Sequence, residues 1–331
     1  MPVLDSDTEH DPNKILPIDY DWAREYYQQG VANNWTPEEV AMQDDVYQWN
    51  NDELTDAERQ LVEWNLGFFS TAESLTANNI VLAIYEYVTA PECRQYLLRQ
   101  AYEEAVHTDT FIYCCDSLGL DPEYLYGMYD RIPAIEAKDE FVVDLTRAVD
   151  DPTFTIDTDD DLRDFLRDLV GFYVIMEGIF FYAGFAMMLA LKRRGKMVGV
   201  GEQFEYIMRD ESLHLNFGVD LVNQIRDEHP GVWTADFEAE VASLMRQAVD
   251  LEQVYAQEAC PEDVLGMSSE QFAEYVEYVA DRRFEQLRMD PVYGTDNPFP
   301  WMTEQVDLNA EKNFFERNVS EYQQGGSLDW D

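Results

Sequence analysis

Apolar residues recur at helical spacing through most of this chain, whereas alternating runs bounded by Asn-Gly or Asp-Gly turns are nearly absent. Start signals such as the capping box at Thr55–Glu58 and stop signals such as Gly119 divide the pattern into long segments. The predicted helices cover about 55–88, 91–118, 159–195, 202–229, 233–258 and 269–289. Asp159–Asp161 are expected to cap the third helix. The sequence therefore predicts an all-α protein, a four-helix core with additional helices around it.

The two ends of the chain differ from this helical body. Residues 1–19 are polar and contain three prolines, which suits an N-terminal arm. The helical domain is expected to span residues 20–300. Residues 301–331 are polar, and Gly325-Gly326 is expected to form the joint of a flexible C-terminal tail.

The most apolar stretch, residues 169–191, carries a single charge, Glu177. Its length would allow a membrane span, but a carboxylate near the middle of a lone span costs on the order of 3 kcal/mol. A second possibility is a buried core helix whose glutamate is protonated or salt-bridged. A third possibility is that Glu177 binds a metal ion, because a buried charge persists only when it is paired or bound to metal. We favour the interpretation that Glu177 is a metal ligand in a protein without a membrane span.

Two E-x-x-H motifs, Glu104–His107 and Glu211–His214, lie on predicted amphipathic helices. The i, i+3 spacing places both side chains of a motif on one helical face, where they can reach one cation. Glu73 lies in a mostly uncharged part of the first long helix, so each of the four core helices carries one candidate glutamate. Four carboxylates and two imidazoles form the ligand set of a dimetal-carboxylate site in a helical bundle. The alternative is that the motif glutamates are solvated and Glu73 bonds a buried donor.

The net charge and the cysteine content of the chain restrict its possible binding partners and its cellular compartment. With 68 acidic and 22 basic residues, the net charge of -46 excludes ordinary nucleic-acid binding and disfavours an anionic membrane. Such self-repulsion is screened at about 1 M salt, where the Debye length is about 3 Å. We therefore expect a halophilic protein, with an acidic mesophilic protein as the alternative. The four cysteines form no CxxC pair and the N-terminus has no signal-peptide pattern, so a cytoplasmic location is expected.

The ligand pattern resembles that of the radical-generating small subunit of class I ribonucleotide reductase, over nearly the whole chain. The spacings of 31, 3, 34 and 3 residues along the motifs are similar to those of that family. The resemblance implies a ferritin-like helical bundle, a homodimer and a dinuclear metal centre. It implies that one metal is held by Glu73, Glu104 and His107, and the other by Glu177, Glu211 and His214. Phe181, Phe185 and Ile207 would form an apolar pocket beside the metals, although plain core packing is an equal use for them.

Phe111 departs from the usual pattern of the family. Most members have a tyrosine four residues after the first histidine, and its phenoxyl radical stores the oxidising equivalent. Phenylalanine has no hydroxyl to oxidise, and Tyr113 is predicted to point away from the metal-facing side. Together with Glu73 where many members have aspartate, this resembles the class Ic subgroup, which has a Mn(IV)/Fe(III) cofactor. The same ligands also hold two irons or two manganese ions.

The resemblance further implies a path for the oxidant to a cysteine of the catalytic subunit. That path would run from His107 through Asp210 and Trp35, with Tyr206 as an optional member, to Tyr322 in the tail. Tryptophan and tyrosine are readily oxidised, and Asp210 can orient His107 and accept a proton. The alternatives are packing for Trp35 and Tyr206 and a surface role for Asp210. The tail, with Leu328 and Trp330 near its end, is expected to dock on the catalytic subunit.

Two other functions use similar ligands. One is a manganese/iron ligand-binding oxidase of the same superfamily, which acts without a docking tail and has a crosslinking tyrosine where this chain has Phe172. The other is a ferritin-like metal store, which predicts a shorter chain and a shell of many subunits. We favour the reductase subunit, a reductase of ribonucleoside diphosphates, because of the ligand spacing and Tyr322.

Overall fold

Helices dominate this computed structural model, which describes residues 2–4, 16–51, 53–75, 81–260, 264 and 266–302. Within those ranges there is no β-strand, only an isolated bridge between Val264 and Met267. The α-helices are α1 Asp21–Ala32, α2 Gln43–Asn50, α3 Asp56–Leu75, α4 Val81–Tyr87, α5 Pro91–Leu118, α6 Pro122–Leu125, α7 Pro133–Leu145, α8 Arg147–Asp150, α9 Asp159–Leu169, α10 Tyr182–Arg193, α11 Val198–Glu228, α12 Ala235–Ala259 and α13 Ser269–Gln286. A π-helical segment, Val170–Phe180, joins α9 to α10. The all-α prediction is confirmed.

Four long elements form the bundle: α3, α5, the run of α9, π segment and α10, and α11. α1 packs on α5, whereas α12 and α13 pack against the π segment. The predicted four-helix core with surrounding helices is therefore confirmed. The first long helix was expected to continue to Val88, but this continuation crosses residues 76–80, which lie outside the described residues.

The third element differs from its prediction in two ways. Its N-cap is Thr158, whose hydroxyl accepts from the Asp161 backbone N–H, and the Asp161 carboxylate accepts from the Thr158 N–H at 2.8 Å. The capping residue therefore precedes the predicted Asp159–Asp161. The element is also not a single α-helix, because the π segment lies at its centre and carries Glu177.

α11 begins at Val198, four residues before its predicted start. The Asp45 side chain accepts from the backbone N–H groups of Gly199 at 3.0 Å and Val200 at 2.6 Å, so a carboxylate of α2 caps this helix. A Cβ added at Gly201 would lie 2.6 Å from the Cβ of Lys192. Close packing against α10 therefore explains Gly201, which lies inside the helix and before its predicted start.

The apolar stretch lies in the core. Asp159–Arg193 is long and apolar enough to cross a membrane, but its most apolar window is completely buried inside the protein. At the N-terminus Val3 is fully buried and its N–H donates to Glu228 Oε2 at 2.9 Å. At the other end of the described residues Met302 is buried. The boundaries of the arm and of the tail stay predictions.

Candidate metal centre

The six predicted metal ligands meet inside the bundle, and all six are fully buried. They form two overlapping groups in which one ligand atom from each residue lies within 4.8 Å of the others. The first group is Glu73, Glu104, His107 and Glu211, and the second is Glu104, Glu177, Glu211 and His214. Glu104 and Glu211 belong to both groups, which suits carboxylates that bridge two cations.

Both histidines turn Nδ1 towards the carboxylates. His107 Nδ1 lies 2.9 Å from Glu211 Oε1 and 3.4 Å from Glu73 Oε2. His214 Nδ1 lies 3.1 Å from Glu104 Oε1 and 3.4 Å from Glu211 Oε2. The two ring centroids are 5.9 Å apart. Each imidazole therefore directs Nδ1 into the site and keeps Nε2 for another partner.

Several buried polar atoms on the inner side of this cluster make no hydrogen bond of good geometry with the described residues, although some of them lie within 3.5 Å of one another. They are Glu73 Oε1, Glu177 Oε2, His214 Nδ1 and both carboxylate oxygens of Glu104 and of Glu211. A buried polar atom left unsatisfied costs about 1–3 kcal/mol, and a charged one more. Two divalent cations would satisfy all of these atoms, and carboxylate oxygens with imidazole nitrogens suit iron and manganese. The residues present therefore fit a dinuclear metal centre.

The protonation of the cluster follows from its burial and its crowding. Burial first, and the neighbouring Glu211 second, raise the pKa values of Glu73 and Glu177 well above the usual range. Burial also opposes the ionisation of Glu104, but the nearby His214 and His107 outweigh it and lower the pKa of that carboxyl. Conversely, the carboxylates outweigh burial at both imidazoles and raise the pKa values of His107 and His214. A cluster of this kind holds positive charge readily.

Asp210 positions the first histidine from the opposite helix. Its Oδ2 lies 3.5 Å from His107 Nε2 and accepts from Trp35 Nε1 at 2.7 Å. The Arg209 guanidinium donates to Oδ1 at 3.1 and 3.2 Å. Although burial opposes it, the hydrogen bond from His107 and the charge of Arg209 lower the pKa of Asp210. An ionised carboxylate therefore joins His107 to the Trp35 indole.

Glu103 plays the same part for the second histidine, and sequence reasoning missed it. His214 Nε2 lies 2.9 Å from Glu103 Oε2, and Arg99 Nε donates to Glu103 Oε1 at 2.9 Å. Glu103 lies on α5 and holds the histidine of α11, whereas Asp210 lies on α11 and holds the histidine of α5. These two contacts are called the crossed dyads below. The available signal was an acid directly before the glutamate in both E-x-x-H motifs.

Gln100 and Tyr173 also contact the cluster without having been predicted. Gln100 Nε2 donates to Glu177 Oε1 at 3.3 Å, and the Tyr173 hydroxyl donates to Gln100 Oε1 at 3.0 Å. All three side chains are fully buried. The Gln100 amide therefore fixes one oxygen of Glu177 and leaves the other for a metal.

The predicted pocket residues Phe181, Phe185 and Ile207 are fully buried. Phe69, which sequence reasoning did not single out, joins two of them: its ring centroid lies 4.7 Å from that of Phe181 and 5.1 Å from that of Phe185. Phe111 stacks on the same ring at 6.0 Å. These side chains form a continuous apolar wall, in which the Phe111 ring lies among other phenyl rings.

The structure also places most of the predicted radical-transfer residues together. The Trp35 ring centroid lies 6.4 Å from that of His107 and 5.0 Å from that of Tyr206. The Tyr113 hydroxyl donates to the Val40 carbonyl at 3.3 Å, outside the ligand groups. Tyr322 lies outside the described residues.

Two buried cations hold the π segment that carries Glu177. Lys138 Nζ donates to the Phe180 carbonyl at 3.2 Å, and Arg283 Nε donates to the Gly178 carbonyl at 2.9 Å. Both cations lie on other helices, α7 and α13. Two backbone carbonyls that follow Glu177 in the π segment are thus fixed by charge-assisted hydrogen bonds, which are stronger than neutral ones.

A family model described as ribonucleotide reductase, small chain, matches residues 12–298. The chain belongs to this family. The subunit beta of ribonucleoside-diphosphate reductase from Chlamydia pneumoniae is 53% identical over 320 residues, which cover 97% of this chain and 92% of the relative. Small chain 1 from Saccharomyces cerevisiae is 32% identical over 331 residues, 99% of this chain and 77% of the relative.

A solved structure of the ribonucleotide reductase R2 subunit from Clostridium botulinum has the same fold. It matches this small chain with a TM-score of 0.79 and 27% identity, covering 87% of this chain and 88% of that one. The family match over 287 consecutive positions, 12–298, favours the reductase subunit over the ligand-binding oxidase and over the metal store. The predicted ferritin-like bundle agrees with this membership.

Proposed function

We propose that this small chain generates the radical for a ribonucleoside-diphosphate reductase and keeps the oxidising equivalent on a manganese/iron pair instead of on a tyrosine. Phe111 carries the proposal. It lies one helical turn after His107, fully buried against Phe69, and has no hydroxyl. A phenyl ring cannot release an electron together with a proton at an accessible potential, so a stored oxidant must stay on the metals, as in the class Ic subgroup.

When bound, the metal pair supplies the oxidising equivalent that starts radical chemistry in the catalytic subunit. We assign one metal to Glu73, Glu104 and His107 and the other to Glu177, Glu211 and His214, with Glu104 and Glu211 near both. The crossed dyads raise the donor strength of both imidazoles, because an imidazole bonded to a carboxylate is a more basic ligand. The apolar wall excludes water from the neighbourhood of the centre.

Trp35 is the first proposed step on the way out. Its indole N–H donates to Asp210 Oδ2, so oxidation of the ring can be accompanied by movement of that proton to the carboxylate. The Tyr206 ring lies next to Trp35, with 5.0 Å between the two ring centroids, and the Arg209 guanidinium lies 5.2 Å from the Tyr206 centroid. Tyr322 would complete the path to a cysteine of the catalytic subunit.

The proposed assembly is a cytoplasmic homodimer that binds the catalytic subunit through residues 301–331. Tyr322, Leu328 and Trp330 are oxidisable or apolar side chains among the mostly polar last residues of the segment, which suits a peptide that docks on a partner. The substrate pocket for ribonucleoside diphosphates would lie on the catalytic subunit.

Metal analysis tests the cofactor. Protein activated with manganese, iron and oxygen in high salt is expected to hold about one manganese and one iron per chain, because one imidazole serves each ion. Mass spectrometry gives the metal content, and electron paramagnetic resonance gives the mixed-metal signal, which should rise and fall with reductase activity. Full activity with iron alone or manganese alone would overturn the mixed cofactor while leaving the reductase assignment in place.

A truncation tests the tail. Deletion of residues 320–331 is expected to abolish turnover and binding to the catalytic subunit while metal content stays at one pair per chain, because the ligands lie elsewhere. The matched variant Tyr322→Phe should retain binding and lose turnover, since it removes only the phenol. Activity retained by the truncated chain would rule out the proposed role of the tail.

A further inference from the structure

A second series of oxidisable side chains begins at His214. The Tyr96 ring centroid lies 6.5 Å from that of His214, and Tyr26 lies 5.7 Å from Tyr96. Trp22 follows at 6.2 Å from Tyr26, and Tyr20 at 6.1 Å from Trp22. Neighbouring rings in this series are therefore about as close as His107 is to Trp35, at 6.4 Å. The four residues Tyr96, Tyr26, Trp22 and Tyr20 are called the tyrosine column below.

The outer tyrosines of the column have carboxylate acceptors. The Tyr26 hydroxyl donates to Asp220 Oδ2 at 2.7 Å, and the Tyr20 hydroxyl donates to Glu228 Oε1 at 2.6 Å. A phenol bonded to a carboxylate can lose an electron while its proton moves along the hydrogen bond, which makes it easier to oxidise. Trp22, between them, is only partly buried, so the column reaches towards solvent.

Tyr96 differs from these two. It is fully buried, and its hydroxyl has no hydrogen-bond partner in the described part of the chain. Oxidation of this phenol cannot be coupled to proton transfer, so the oxidation potential of Tyr96 is higher than that of its neighbours. Tyr96 therefore passes the oxidising equivalent on and does not store it. Trp35 has a proton acceptor in Asp210 at the corresponding position. The path through Trp35 is therefore the easier one, and the column is the slower one.

We propose that the tyrosine column is a discharge route, through which an oxidising equivalent leaves the metal centre when no catalytic subunit takes it. The inference rests on the proposed function. One electron moves from Tyr26 through Tyr96 to the metal centre, which is reduced by one electron, and the phenolic proton of Tyr26 moves to Asp220. A one-electron reductant in solution, such as ascorbate, returns the electron through Trp22, and the proton moves back to Tyr26.

The test measures how long the oxidised centre survives without the catalytic subunit. Full-length protein, oxidised with any metal pair that it accepts, is mixed with ascorbate, and the decay is followed by absorbance and electron paramagnetic resonance. Tyr96→Phe and Tyr26→Phe are expected to lengthen the lifetime several-fold. Asp220→Asn should lengthen it as well, since it keeps the Tyr26 phenol and weakens the proton acceptor. Freeze-quenched samples of the unaltered protein should show a tyrosyl signal that Tyr26→Phe removes.

Tyr27→Phe is the matched control, because Tyr27 is the next residue on α1 and is not part of the column. Its lifetime, metal content and turnover should equal those of the unaltered protein, and Tyr96→Phe should also leave metal content and turnover unchanged. Decay of both column variants at the unaltered rate, or equal slowing by Tyr27→Phe, would overturn the discharge route. Failure of the proposed function would be seen separately, as unaltered protein that does not support reduction by the catalytic subunit.

Discussion

Asp210 and Glu103 each precede a ligand glutamate by one residue, so each points about 100° around its helix from that ligand. Neither can face the metal that its neighbour binds, and both instead meet a histidine across the helix interface. Both carboxylates are buried and both are held by an arginine, Arg209 or Arg99. The arginines keep these carboxylates fixed, and the carboxylates fix the orientation of the rings.

We predict that Glu103→Gln weakens metal binding at the His214 site by about ten- to a hundredfold, the usual effect of losing the partner of a histidine ligand. The amide keeps the size of the side chain but loses the charge that strengthens the imidazole. Competition with a chelator, read by metal content, measures the affinity. Glu92→Gln is the control, because Glu92 is equally buried on α5 but accepts from the Asp19 backbone. Unchanged affinity in Glu103→Gln would show that the contact is only packing.

At this scale the buried cluster of six acidic and histidine residues could be predicted, because two of only four histidines stand in E-x-x-H motifs on core helices, and the role of the six as metal ligands stays a prediction. Asp210 came from family resemblance. Glu103 could not be found in the same way, since in a chain with 68 acidic residues a second acid beside a motif glutamate is only a weak signal. Only the distance across the helix interface distinguishes it from a solvated glutamate.

Among the elements, the π segment was the one that the sequence could not reveal. Residues 169–191 are apolar on every face of the helix, and the structure buries every face. The sequence therefore has no alternation of polar and apolar positions from which the wider turn of a π-helix could be recognised. The cations that satisfy its carbonyls, Lys138 and Arg283, are distant in sequence. The end of α5, where Gly119 adopts the left-handed conformation, was predicted correctly from its glycine.

We predict that Lys138→Met destabilises the protein by about 3–5 kcal/mol, the usual cost of leaving one partner of a buried ion pair. Lys138 Nζ lies 2.5 Å from Glu252 Oε2, and both side chains are fully buried. Burial, opposed by Lys138, already raises the pKa of Glu252 to about 7. Denaturant unfolding in high salt measures the loss.

The double variant Lys138→Met/Glu252→Leu should recover most of that loss, because no charge is then buried alone. If the double variant is as unstable as the single one, the bond from Lys138 to the Phe180 carbonyl is the main contribution. Metal content of both variants then shows whether the π segment still presents Glu177.

The whole molecule carries a net charge of -46, and most of its acidic side chains have no basic side chain to pair with, because there are 68 acidic and only 22 basic residues. The exposed Arg288–Asp227 pair, at 2.8 Å, adds little, because exposed pairs contribute about 0–1 kcal/mol. The chain has only five lysines. The helical bundle could be predicted from the number and spacing of the helices. The salt concentration that stabilises it depends on the repulsion summed over all acidic side chains, which no single contact shows.

We predict that the melting temperature rises substantially between low salt and multimolar potassium chloride, because screening shortens the range of this repulsion to about 3 Å at 1 M. Thermal unfolding followed by circular dichroism measures it. Sucrose at matched osmolality is the control, because it is uncharged and cannot screen. A melting temperature that stays level in potassium chloride would favour an acidic mesophilic protein over a halophilic one.

The crossed dyads also change how mutagenesis of this centre must be interpreted. Glu103 is adjacent in sequence to Glu104, the partner of His107 in the α5 motif, yet its contact is with His214 in the α11 motif. Asp210 shows the reverse relation. A substitution of the acid that directly precedes one motif is therefore expected to affect first the ion assigned to the other motif, and an assignment made by sequence order would exchange the two ions.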